Sequence, residues 1–141
     1  MKWYFDIKEW LDENEVSYDE DILESTGEHF IRFTQRIGKS NSIVTLLIFK
    51  ELGIKTVFVD LANIEDEEKH FACYELMNNL NADYSYLKFF MTDDGEVRAE
   101  YDVVLSMTDG NFDADEFMKL FISVFSVIEE NYPKFMKLQW I

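Results

Sequence analysis

Ser85-Tyr86-Leu87-Lys88-Phe89-Phe90-Met91-Thr92, the tetrad Asp93-Asp94-Gly95-Glu96, and the return from Val97 to Ser106 decide the fold of this chain. In the return, Val97, Ala99, Tyr101, Val103 and Leu105 alternate with Arg98, Glu100, Asp102 and Ser106. A period of two puts one set in a core and the other in water. The Asp-Asp-Gly step is turn chemistry, so the segment predicts a β-hairpin with one wet face. Lys88 is placed as a cross-strand partner for the acids opposite.

Upstream of the hairpin the period changes. Asn63 reads as an N-cap, with Glu65, Asp66, Glu67 and Glu68 in the first helical turn against the positive end of the macrodipole. Cys73, Leu76, Met77 and Leu80 give that helix a buried stripe. Asn78, Asn79 and Asn81 crowd its end, where Asn tolerates left-handed backbone. Further back, residues 29–36 and 42–50 are rich in β-branched and aromatic residues. Gly38-Lys39-Ser40-Asn41 between them predicts a first hairpin. A third strand, Thr56 to Leu61, follows the turn around Gly53.

At the start, Trp3, Ile7, Trp10 and Leu11 share one face of an amphipathic helix over residues 1–13. The acidic stretch Asp12 to Glu24 reads as loop with at most a short element. Downstream, Asp113 and Glu116 stand at capping-box spacing ahead of a helix marked by Phe117, Leu120, Phe121, Val124, Phe125 and Ile128. Pro133 is expected to end that helix or to open a short final one carrying Phe135, Met136 and Trp140. The predicted order is α-β-β-β-α-β-β-α, an α+β domain with an antiparallel sheet of about five strands. With one proline and five glycines and no linker-like tract, residues 1–141 read as a single domain.

Composition narrows the function classes. Apolar residues make up 48% of the chain and aromatic residues 16%, enough for a core without disulfide or metal staples. The net charge is −16. A polyanion of this kind repels phosphate backbones and anionic lipid, so neither nucleic acid nor membrane is an expected partner. The single Cys73 cannot form an internal disulfide, and no signal-like or spanning apolar run appears; a soluble, cytoplasmic protein is expected.

Reactive constellations are sparse. The two histidines, His29 and His70, stand in no zinc-ligand spacing. Cys73 has His70 three residues earlier on the same helix, so contact between nucleophile and base is sterically open, but Cys73 falls on the apolar stripe. An EF-hand alignment through Asp109, Gly110, Asp113 and Glu116 leaves Leu105 and Met107 where oxygen ligands belong, so the helix cap is the better reading. Gly38-Lys39-Ser40 lacks the upstream glycine of a phosphate loop. No catalytic residue, metal or cofactor is expected.

Charge distribution says more. Residues 1–30 carry a net −8, residues 31–59 a net +4 from Arg32, Arg36, Lys39, Lys50 and Lys55 against Glu51, and the rest −12. This basic island either pairs with the molecule's own acids or docks an acidic peptide or second subunit. Arg32 and Arg36 share strand parity and so one sheet face. Trp3, Trp10, Phe135 and Trp140 near the ends are the aromatic interface candidates, with packing of the termini as the competing explanation.

Tyr74-Glu75-Leu76-Met77-Asn78-Asn79-Leu80-Asn81, Leu87-Lys88-Phe89-Phe90, Asp93-Asp94-Gly95-Glu96-Val97 and the closing Glu130-Asn131-Tyr132-Pro133 together resemble the YbjN-like family of bacterial proteins, named as sensory transduction regulators. The resemblance spans roughly residues 15–135 by element order. It implies a fold similar to type III secretion chaperones and a non-enzymatic domain that binds proteins or peptides and admits a homodimer. An adaptor or chaperone-like module, taking extended peptide along a sheet edge, is the function expected. Two alternatives remain open: an acidic decoy that mimics nucleic acid toward a basic protein, and a small enzyme built on Cys73 and His70.

Overall fold

The computed structural model describes residues 2–105 and 111–141. Its elements run α1 (Lys2–Glu13), β1 (Asp19–Ile22), β2 (His29–Ile37), β3 (Asn41–Phe49), β4 (Gly53–Asn63), a 3-10 turn (Glu67–Lys69), α2 (His70–Asp83), β5 (Lys88–Met91), β6 (Glu96–Val104) and α3 (Ala114–Trp140). The strands form one sheet in the order β1-β2-β3-β4-β6-β5, every neighbour antiparallel. The α+β class and both hairpins stand as the patterning predicts. Ser106, Met107, Asp109 and Gly110 lie outside the described residues.

Six strands form where about five are expected, because Asp19–Ile22 pairs with β2. All four of its residues are exposed, so no hydrophobic period marks them. Side chains from α1 hold the strand in place: the Tyr4 hydroxyl donates to Glu20, and Lys8 pairs with Glu20 at 3.1 Å.

The helices cover one face of the sheet. Tyr4 of α1 meets Phe49 edge-on at 5.0 Å, and Phe121 of α3 packs on Phe33 and Phe58 at 5.4 and 5.6 Å. Ile31, Phe33, Ile43, Leu47, Phe58 and Ala99 all bury their side chains on this face, which follows from their strand parity. At Gly53 the β4 backbone comes so close to β6 that a Cβ would fall 2.0 Å from the Val103 carbonyl oxygen.

Four local expectations are corrected. β4 runs on to Asn63 through a bulge at Asp60, whose φ is +60°, so Asn63 is a strand residue. Asp66 takes over the capping role and accepts from the Glu68 amide at 3.0 Å. Pro133 lies inside α3, which continues to Trp140. The Asp113 carboxylate caps α3 by accepting from the Asp115 and Glu116 amides, while Glu116 turns to Lys119 at 3.7 Å. Lys88 is opposite Glu100 in register but donates to the Asn81 and Tyr84 carbonyls at the end of α2.

The asparagine cluster does not close α2 in left-handed backbone. The helix continues to Asp83 and ends on Tyr84 in extended geometry. Asn81 instead reaches the outer edge of β5: its Oδ1 accepts from the Phe89 amide at 2.7 Å and its Nδ2 donates to the Phe89 carbonyl at 3.0 Å. One side-chain amide thus stands in for a neighbouring strand and closes that sheet edge. Asn81→Ala removes both bonds and is expected to cost about 2 kcal/mol. Hydrogen exchange at the Phe89 amide should accelerate more than global unfolding explains; unchanged protection there would contradict the clamp.

Candidate partner-binding surfaces

Among the described residues, no helix packs on the opposite face of the sheet. Strand parity puts Val44, Leu46 and Ile48 of β3 there, beside Val57 and Val59 of β4. Val44, Leu46 and Ile48 are half-buried by their neighbours alone. Charges flank this apolar row. Asp19, Asp21, Arg32 and Arg36 lie on the β1–β2 side, and Lys55, Arg98, Glu100 and Asp102 on the β4–β6 side. With Glu96 in parity with Arg98 and Lys88 opposite Glu100, the strands of this face carry five cations and five carboxylates, while the chain as a whole carries −16.

The basic island is partly neutralised from within. Arg32 pairs with Asp19 at 3.2 Å, Lys50 with Glu28 at 3.3 Å and Lys55 with Glu100 at 3.5 Å. Arg36 and Lys39 have no ion pair among the described residues. Both members of the Arg32–Asp19 pair are exposed, so it is weak and exchangeable.

The three tryptophans separate. Trp3 is buried in the core, and so is Phe135, which stacks on Phe89, so neither offers an interface. Trp10 is half-buried and its indole donates to Asp115 at 3.3 Å, joining α1 to α3. That bond and Lys119 hold the Asp115 carboxyl below the usual carboxylate range. Trp140 is 76% exposed at the end of α3.

The two sheet edges are unlike. Asn81 closes the β5 edge, and the β1 edge presents Asp19, Glu20 and Asp21. Glu20 is held below its ordinary pKa by the Tyr4 hydroxyl and by Lys8. Near the β4 bulge, Glu96 accepts from Arg98 at 2.8 Å and from the Asp60 amide at 2.9 Å. The Arg98 contact holds its carboxyl down, so the bulge is fixed by a charged clamp.

Cys73 and His70 do not form a reactive pair. Cys73 is fully buried, and burial pushes its thiol up to about 11, away from the thiolate that a nucleophile needs. The His70 ring is engaged elsewhere, with Nε2 at 2.7 Å from the Ile64 carbonyl. Among the described residues, no three His, Cys, Asp or Glu side chains gather as a metal site, and no helix is long and apolar enough to cross a membrane.

Residues 6–137 match the YbjN family, described as "putative bacterial sensory transduction regulator". The chain belongs to the YbjN family. That description assigns the family a regulatory role rather than an enzymatic one. The crystal structure of YbjN from E. coli, described as "a putative transcription regulator", superposes with a TM-score of 0.60 at 13% identity, covering 91% of this chain and 89% of that one. At this identity the likeness is one of fold. No curated protein matches the sequence.

Two features of these surfaces escape sequence reading. The balance of the open face depends on Asp19 and Asp21, in a strand with no hydrophobic period. The edge clamp needs Asn81 and Phe89 brought together by the return of the chain after α2.

Proposed function

We propose that this YbjN-family chain is a non-enzymatic, protein-binding regulator, adaptor or chaperone-like in manner. Its partner segment is apolar with an acidic flank and lies across the open sheet face. The observation that carries this reading is the row Val44-Leu46-Ile48, which no helix covers among the described residues, beside Arg36, which has no ion pair among them. Half-buried aliphatic side chains gain by full burial, and a free guanidinium beside them selects a carboxylate. Arg32 joins it by exchanging Asp19 for the partner's acid. Face binding displaces strand addition as the favoured mode, since one edge is closed and the other repels an acidic segment. The overall charge keeps nucleic acid away.

Tagged chain, used near 0.15 M salt, tests this. A near-stoichiometric protein should be captured by the natural sequence, lost by Leu46→Glu with Arg36→Glu, and kept by Lys119→Gln. Thermal melts of each variant show that the fold persists. A partner still bound by the face variant, or no partner at all, removes the reading. A concentration-dependent homodimer abolished by the same substitutions would assign the face to a second copy instead.

A further inference from the structure

A second surface lies at the end of α3, where it passes the start of α2. Ala72 and Leu76 of α2, with Leu138 and Ile141, floor an open groove of about 380 Å³. Lys69, Lys134 and Lys137 rim it. The chain has 29 acidic and 13 basic residues, yet none of these three lysines makes an ion pair among the described residues.

Helix electrostatics explain only part of this arrangement. Lys134 and Lys137 lie toward the C-terminal, negative end of α3, where cations are favoured. Lys69 immediately precedes α2, at its positive end, where a cation is disfavoured. Lys69 also closes the 3-10 turn behind Glu67 and Glu68, yet it pairs with neither and lines the groove with two others of the same sign. An anion held among the three would relieve that repulsion.

We propose that this groove binds a linear fatty acid, with its tail on the aliphatic floor and its carboxylate among the three ammonium groups. The floor residues offer no side-chain hydrogen-bonding group, so the ligand's body has to be hydrocarbon. Lysine stems extend the apolar walls while their heads stay wet. The volume falls in the range of roughly 300–1,000 Å³ typical of small-molecule sites. The inference is independent of the open sheet face.

Dodecanoate below its micellar limit is the probe, titrated into the full chain by calorimetry and by amide NMR. Saturable 1:1 binding is expected, with shifts centred on Ala72, Leu76 and Leu138. The variant Lys69→Gln/Lys134→Gln/Lys137→Gln should bind about tenfold more weakly, while Lys119→Gln binds normally. NMR on the natural sequence keeps the test decisive even if the triple variant folds poorly. Absence of saturable binding, shifts elsewhere, or affinity indifferent to the three lysines would overturn the proposal. Binding to phosphatidylglycerol vesicles without binding of free dodecanoate would also overturn it, in favour of a membrane surface.

Discussion

Phe58→Ala is expected to lower the unfolding free energy by about 4 kcal/mol. Phe58 is fully buried on β4, stacked on Phe121 at 5.6 Å and within 6.2 Å of Phe125 and 6.3 Å of Tyr101. Phe121 continues the cluster to Phe33 and to Phe125. One ring thus joins the central strand to β6 and seats α3 on the sheet. Removing it loses the transfer free energy of the ring and leaves a cavity that three rigid aromatic neighbours cannot collapse to fill. Contacts between the rings add to the area term. Urea melts should show a lower midpoint with an unchanged slope, and the thermal midpoint should fall by roughly 10 °C. Phe58→Leu should recover most of the loss, because volume and apolarity are largely kept. A cost below about 1 kcal/mol for Phe58→Ala would mean that α3 is not seated there.

That ring was legible in part. Phe58 falls in the expected strand 56–61, and Phe117, Phe121 and Phe125 recur at helical spacing, so each has a side toward a core. Their meeting was not legible, because it depends on β6 inserting between β4 and β5. Strong periodicity carried both hairpins and the long helix. It failed where tertiary partners overrode local preference. Asp19–Ile22 becomes a strand because β2, Tyr4 and Lys8 supply its bonds. Asn63 looks like a cap locally, yet its amide donates to Gln139 on α3 at 2.7 Å. The candidate surfaces follow the same division. Arg32 and Arg36 sit on one exposed face as their parity requires. The lysine-rimmed groove joins positions far apart in sequence, and no spacing rule reaches across that distance.

Pro133→Ala is expected to raise the unfolding free energy by about 2 kcal/mol. Pro133 sits well inside the 27-residue α3, on its exposed side. It has no amide to give the Glu129 carbonyl, and its ring crowds that oxygen, so a proline in a helix interior costs roughly 3 kcal/mol relative to alanine. About 1 kcal/mol of that is offset because proline also stiffens the unfolded chain. Exposure limits the penalty, since water can reach the orphaned carbonyl. Neighbouring side chains hold the helix through this point. Asn131 is buried and donates to the Val127 carbonyl at 2.8 Å, and Phe135, two residues beyond the proline, stacks on Phe89 of β5 at 5.5 Å. Gln139 then reaches the Asn63 amide at the end of β4. These contacts supply the stability that local propensity withholds, which is why a proline stop in the sequence is read through in the fold. Calorimetry decides between two accounts of the residue. A gain shows that packing tolerates the proline and does not depend on it. A loss shows that the last turns need the proline's distortion to lay Phe135 on Phe89, and then the groove formed by Lys134, Lys137 and Leu138 is shaped by Pro133 as well.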